Sequence, residues 1–521
     1  MRKVTTTVAA ALVAFSFAAC NKTNNSVTPE EGANSYASVR VNVKNSLKAI
    51  NDGDQVDNKG TEAESKVSSM ALVGAGATWA EGDITATGDV YKGKAKPVSA
   101  VGAMPLGLVL NNNTLTSSVE ATAEFGNSAE AVANLAALST DNKFVMTSKV
   151  MSQTIKPNIK EADAETQNML DFGKVERVVA KGIVQKSADF DQTSENGIVP
   201  MEGVKYAAVN GATTTYVYAN QAGERKLGVE DPNQYDGFKS FIDGIAPTKE
   251  DAAAMDAGLI RRGKLGADLG GYAAKEVKDP AVTDYTDANP GVKEGVYFLE
   301  NSGEASAANK AEGFYRFAYA KIYATFVPTT VYEIDEAADP EFVAKAGTGK
   351  KYKKNAENKW EESTEADAQE GQLVYKLKEA TYTKGTTFYM GEKDGRFYLT
   401  RNAAAQSTVE GALGQKAFTY TNGRAGYRAL WNRQSPDDNL KLVNNASTRR
   451  NNIYVLNIKK FQKIGMPWDP SDPNDPDLPK PEDPEEPEYP DNPNIEDQDS
   501  YVAVQCQMVP WNVIGREVEL K

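Results

Sequence analysis

Ten of the 23 prolines in this 521-residue chain lie between Pro467 and Pro493, interleaved with acidic side chains. From Pro467 to Ser500 there are thirteen Asp or Glu residues and a single base, Lys480. Proline removes backbone donors and like charges repel, so this stretch cannot build a core and reads as an extended, semi-rigid spacer. It divides the chain into a folded body and a short segment held on a tether. That segment alternates: Val502, Val504, Cys506 and Met508 face one way, and Tyr501, Ala503, Gln505 and Gln507 the other, as in a half-buried strand. Pro510-Trp511 interrupts it, and Val513, Val518 and Leu520 mark a second extended stretch. A domain that merely needed its own last strand would not require a stiff tether of 34 residues. The arrangement suits a strand that reaches another molecule.

The other end of the chain is also segmented. Arg2 and Lys3 precede an almost uncharged run from Val4 to Ala19. The run falls short of the roughly 20 apolar residues of a membrane span and fits the hydrophobic region of a secretory signal. It ends in Phe17-Ala18-Ala19-Cys20, followed at once by polar Asn21 to Asn25. Small residues before a cysteine form a lipoprotein-processing pattern, with Cys20 as the lipidated residue and residues 1–20 as signal peptide. Ala37, Val39, Val41 and Val43 then alternate with Ser38, Arg40, Asn42 and Lys44, a half-buried strand. Asn51 to Gly60 has no apolar pattern and reads as an exposed, cleavable loop. A regular strand is thus joined to the body by a soft connection, and residues 21–48 read as a propeptide carrying a detachable first strand.

Charge and composition exclude several functions. The spacer contributes −12 of the formal net charge of −14, leaving −2 elsewhere, and there is no basic patch for nucleic acid. With no histidine in the chain, Ser-His-Asp and Cys-His catalysis and histidine-bound zinc are excluded. No carboxylate pair stands out among 72 acidic residues, so the chain does not read as an enzyme and no cofactor is expected. The Asp-Pro repeats lack the glycine turn and fixed ligand register of a calcium loop. Of the two cysteines, Cys506 has no partner once Cys20 is lipidated, and reads as a small buried hydrophobe.

Between these ends the chain is too long for one core, and the pattern is of short strands with Gly and Asn turns. Met104 to Leu110 and Phe144 to Thr147 read as strands, and Asn127 to Leu138 as a helix with Val132, Leu135 and Leu138 on one side. A new strand series opens at Val175, which puts a domain boundary near Phe172. Val204 to Val209 and Thr213 to Tyr218 flank Asn210-Gly211, a hairpin signal. Phe314 to Val327 is a long aromatic strand, Phe388 to Met390 and Arg396 to Thr400 flank a turn at Glu392 to Gly395, and Tyr454, Leu456 and Ile458 alternate in a further strand. Thr248 to Arg262 is predicted as a surface helix. The expected fold is mainly β, in β-sandwich domains over 49–172 and 173–466, followed by the spacer at 467–500 and the strand segment at 501–521.

Several pieces match a known family in order and spacing. They are Arg450-Asn451-Asn452-Ile453-Tyr454 followed by Ile458-Lys459-Lys460, and Lys463-Ile464-Gly465 with Trp468-Asp469-Pro470. After the spacer come Asp497-Gln498-Asp499, Val509-Pro510-Trp511 and the Glu517-Val518-Glu519-Leu520 ending, and Phe388-Tyr389-Met390-Gly391-Glu392 lies earlier. In these the chain resembles the FimA/Mfa-type fimbrilins of type V pili, most closely the Mfa type. The resemblance implies two transthyretin-like β-sandwich domains, export as an outer-membrane lipoprotein and assembly into a cell-surface fimbria that supports adhesion. It implies that an outer-membrane protease removes the first strand and that a neighbouring subunit's C-terminal strand fills the groove. Val502, Val504, Cys506, Met508, Trp511, Val513, Val518 and Leu520 are then the donor-strand residues, with either Val502 to Met508 entering the neighbour or that stretch packing at home while Val513 to Leu520 is donated. Partners would be identical or related subunits, tip and anchor subunits, the protease and a surface receptor. Family members are typically cut after arginine, whereas the aligned position here is Lys48, before Ala49.

That departure leaves room for an anchor subunit that keeps its lipid. A different class, a surface glycan-binding lipoprotein, would use Tyr315, Phe317, Tyr319 and Tyr323 to stack on sugars, but has no use for a tethered terminal strand. A tip adhesin need not donate a strand, so the donor-like end argues against it.

Overall fold

The computed structural model describes residues 35–43, 62–111, 138–209, 295–299, 319–431, 448, 450–467 and 502–510, with short pieces at 129–130, 215–216, 275–276 and 514–515. These residues are mainly β. The first body is built from β1 (Ser35–Asn42), β2 (Ser69–Val73), β3 (Thr78–Ala80), β4 (Ile84–Thr87), β5 (Val90–Val98), β6 (Gly102–Leu110), β7 (Met146–Ser148), β8 (Met151–Ile155) and β9 (Met169–Arg177). They form one nine-stranded sheet in the order β3-β2-β6-β7-β9-β1-β5-β4, with β8 also on β6. Two four-residue helices, α1 (Glu62–Ser65) and α2 (Ala164–Gln167), complete this body. Inward side chains of β1, β2, β6 and β9 share one core with Trp79.

The chain then passes through Val178 into β10 (Val179–Asp191). Later come β11 (Lys205–Val209), β12 (Val296–Leu299), β13 (Tyr319–Thr325), β14 (Arg424–Leu430), β15 (Asn452–Phe461) and β16 (Val502–Pro510). One five-stranded sheet runs β12-β10-β15-β16 and ends on Ile514–Gly515; another runs from Lys275–Glu276 through β11-β13-β14 to Met466–Pro467. Their facing side chains, among them Ile183, Phe298, Ile322, Tyr427, Trp431 and Leu456, form a second core. β15 is buried on both faces along most of its length, because it is flanked by β10 and β16 and covered by this core.

Several sequence expectations meet the structure differently. Val175 lies inside β9 of the first sheet, and the crossover comes at Val178. The run from Val175 to Val184 carries apolar residues of both cores with Glu176, Arg177 and Lys181 among them, so its pattern does not mark the change. Asn210-Gly211 lies outside the described residues; β11 pairs with Lys275–Glu276 at Lys205 and Tyr206 and with β13 along its whole length. Thr215–Tyr216 pairs instead with Ala129–Glu130, inside the stretch expected as the helix Asn127–Leu138. The remainder of that helix before Leu138, and the one at Thr248 to Arg262, lie outside the described residues. The hairpin about Glu392 to Gly395 is present, with Phe388–Gly391 paired to Phe397–Tyr398. Asp394 fixes its turn by accepting from Tyr398 Oη at 2.5 Å and Ser407 Oγ at 2.6 Å.

Candidate functional site: the groove occupied by β1

β1 is an interior strand. It pairs in parallel with β9 (Val39 opposite Leu170) and antiparallel with β5 (Val39 opposite Gly93). Ala37, Val39 and Val41 are fully buried and Val43 nearly so, as their alternation requires. The floor beneath Val39 depends on Gly93: a Cβ there would lie 2.7 Å from the Trp79 indole nitrogen. On the outer face Arg40 is half exposed and pairs with Asp171 at 3.3 Å.

Ser38, expected on the polar face with Arg40, is fully buried. α2 packs against β1, the register with β5 is irregular between Ala37 and Val39, and the Ser38 N–H donates to the Asn168 carbonyl at 3.1 Å. Among the described residues the Ser38 hydroxyl has no hydrogen-bond partner.

Both ends of the groove carry polar clasps. At the start of β1, buried Asn168 donates through Nδ2 to Ser35 Oγ (3.2 Å), Tyr36 O (3.0 Å) and Lys156 O (3.0 Å). Its Oδ1 accepts from Lys156 N at 2.9 Å. Ser35 Oγ itself donates to Lys156 O at 2.6 Å and accepts from Ile159 N at 3.2 Å. At the far end α1 bridges the two strands that flank β1. Tyr91 of β5 donates to Ser65 O at 3.3 Å, while Arg177 at the end of β9 donates from Nε to Glu64 O at 2.9 Å and from Nη2 to Ser65 Oγ at 3.0 Å.

The same cluster ties the two bodies together. The Glu64 carboxylate, 2% exposed, accepts from Lys181 Nζ of β10 at 2.6 Å and from Tyr297 Oη of β12 at 2.5 Å. Asn451 Oδ1 accepts from Arg177 N at 3.1 Å and from its Nη1 at 3.3 Å, and Asn451 N donates to Val179 O at 2.8 Å. Asn451 holds φ at +59°, a conformation asparagine tolerates better than most residues. Burial pushes the Arg177 guanidinium down to about 10 against the opposing pull of Glu64, so it stays charged at neutral pH. Burial, and then the Glu64 carboxylate, raises the Tyr297 hydroxyl far above its usual range, so it remains a donor.

The C-terminal strand lies elsewhere. β16 runs antiparallel to β15, with Val502 opposite Phe461, Val504 opposite Ile458, Cys506 opposite Leu456 and Met508 opposite Tyr454. Cys20, Lys48, Ala49, Trp511, Val513, Val518 and Leu520 lie outside the described residues. Sequence reasoning missed Asn168, Glu64 and Arg177. Asn451 stands out in the sequence only within a motif; a charged or amide residue beside an apolar strand gives no signal of which buried partner it will meet. Tyr319 and Tyr323, read as possible sugar-stacking residues, are each only 3% exposed and pack with Ala207; aromatic side chains facing inward cannot stack on a glycan. Tyr315 and Phe317 lie outside the described residues. Among the described residues no group of three potential ligands is placed to hold a metal, and no helix is long and apolar enough to cross a membrane.

Residues 418–517 match the family model for the major fimbrial subunit protein type IV, fimbrillin, C-terminal. Over this region the chain resembles the fimbrillins. Over 94 residues the chain is 34% identical to the minor fimbrium subunit Mfa1 of Porphyromonas gingivalis, a match covering 18% of each chain. It therefore spans about a fifth of the length of the curated relatives it matches. A fimbrilin (FimA) structure from P. gingivalis W83 aligns over 94% of this chain and 99% of its own, at 14% identity and a TM-score of 0.41. A putative cell adhesion protein from Parabacteroides distasonis aligns over 94% and 99%, at 15% identity and a TM-score of 0.37.

Proposed function

We propose that this chain is a fimbrillin, a structural subunit of a cell-surface fimbria, exported as a lipoprotein through Cys20 and polymerised by strand replacement. The observation that carries the reading is the position of β1: an apolar strand in the middle of a sheet, joined to the body by the apolar-poor segment 44–61. Cutting that segment, with Ala49 as the new first residue, frees β1 to leave. An exposed groove between two unpaired edges would aggregate, and a strand donated by another subunit restores the ladder. Four to six buried side chains contribute roughly 6–18 kcal/mol gross, from which ordering costs subtract a large part.

The donor is the C-terminal segment. A spacer of 34 residues extended at about 3.1 Å per residue would reach roughly 100 Å, enough to present β16 to a neighbour. Donation requires β16 to leave β15, where it sits in the isolated subunit. Tip and anchor subunits, a processing protease and a surface receptor complete the expected partners.

Val504→Asp tests this directly. It puts a carboxylate on the inward face of the donor, at a cost of several kcal/mol, and should abolish fibres while leaving lipidated monomer. Gln505→Asp, on the opposite face, should assemble. Equal assembly by the two variants would refute the donor role.

A further inference from the structure

The two strands that flank β1 run antiparallel to each other, because β1 is parallel to β9 and antiparallel to β5. With β1 in place they stand two strand spacings apart, about 9.5 Å. Once β1 leaves, each turns an unpaired edge towards the other across the empty slot. Antiparallel edges can form a ladder directly, so closing by one strand spacing would seal the groove against any later occupant. A groove that is to be refilled needs something to hold β5 and β9 apart.

α1 is placed to do so. It is the first described element after the segment 44–61, so a cut before Ala49 leaves it on the body. It joins the flanking strands at the Val43 end of the groove. Tyr91 of β5 lies opposite Val41, and Arg177 ends β9 just past Lys174, the partner of Asn42. Tyr91 Oη donates to Ser65 O at 3.3 Å, and Arg177 donates to Glu64 O at 2.9 Å and to Ser65 Oγ at 3.0 Å. α1 is in turn fixed from behind. Asn142 N donates to Ala63 O at 2.8 Å. Buried Asn111 donates to Lys66 O at 2.8 Å and accepts from Ser68 N at 2.7 Å, and the Glu64 carboxylate holds Lys181 and Tyr297 of the second body. Each of these partners lies outside β1, so the bridge survives the departure of the strand. We infer that α1 is a strut that keeps β5 and β9 at strand-wide spacing while the groove is empty, with Ser65, Tyr91 and Arg177 as its positioning residues. The inference rests on the proposed removal of β1 and holds whichever strand follows it.

Strand-binding kinetics separate a strut from a contact. A precursor with a sequence-specific protease site between Lys48 and Ala49, in the Val504→Asp background to keep subunits from filling one another, is cut, unfolded in urea, separated from the excised strand and refolded. A labelled synthetic peptide of Ser35 to Val43 is then bound and chased. Closure of the groove lowers the competent fraction, and with it the apparent association rate, but leaves the dissociation of a bound strand unchanged. Ser65→Ala with Tyr91→Phe removes two hydrogen bonds of the strut and should slow association about tenfold at an unchanged dissociation rate. Tyr91→Phe alone, which keeps the ring, should slow it by a smaller factor. Association as fast as in the parent overturns the strut, as does slower association matched by faster dissociation, the sign of residues that merely support the bound strand. A parent that refolds and binds no peptide overturns it too, because the groove has then closed with the strut intact. The strand-removal reading fails separately, if mass spectrometry of subunits from wild-type fibres still finds Ser35 to Val43.

Discussion

Ser38→Ala is expected to stabilise the precursor and retard its polymerisation. The Ser38 side chain is fully buried and its hydroxyl is unpartnered among the described residues. A buried hydroxyl left without a hydrogen bond costs about 1–3 kcal/mol. Its removal leaves the Ser38 N–H bond to Asn168 intact and opens a space no larger than one oxygen atom. The stabilisation should therefore approach the same 1–3 kcal/mol, equivalent to roughly 5- to 150-fold in the equilibrium between β1 bound and β1 released. Urea unfolding of the full-length precursor should show a higher midpoint at an unchanged slope, the signature of altered stability alone. After protease treatment, the variant should exchange its excised strand and extend fibres more slowly than wild type by a comparable factor. A lower midpoint, or polymerisation as fast as wild type, would refute the idea that β1 is held less well than it could be.

Other perturbations probe the clasps and the export route. Asn168→Ala removes four hydrogen bonds and leaves the part-buried Lys156 N and Tyr36 O without them; a loss of about 1–3 kcal/mol is expected, with urea unfolding as the measure and protease sensitivity near Ser35 as a second sign. Glu64→Leu withdraws the carboxylate from Lys181 and should cost about 3–5 kcal/mol, much of it recovered by adding Lys181→Met; a double-mutant cycle in urea gives the coupling, and additive effects would contradict the pairing. Cys20→Ala should leave unprocessed precursor that takes up no labelled fatty acid; normal labelling would remove Cys20 from the account.

The residues that were legible in the sequence are those governed by period. The alternation of Ala37 to Val43 predicted an inward face, and three of its four members are fully buried and the fourth nearly so. The turn about Glu392 to Gly395 was legible because hairpins are local. What the sequence did not disclose depends on long-range choice. Asn210-Gly211 reads as a turn, but the partners of β11 are strands more than 60 residues away in sequence. Ser38 obeys period two in the sequence and is nevertheless fully buried, where the register of β1 with β5 is irregular. Glu64 sits in a four-residue helix with no pattern of its own, and its partners are 117 and 233 residues distant. The groove could be anticipated; the clasps that frame it could not.

The central claim is that β1 is absent from the assembled subunit. N-terminal sequencing of subunits from isolated fibres tests it most directly. The account predicts a first residue between Lys44 and Lys59, with Ala49 favoured, so that Ser35–Asn42 is gone from every polymerised copy. Fibres whose subunits still begin at Cys20 would contradict it: the groove would remain filled by its own strand, and the chain would be an anchor that keeps its lipid.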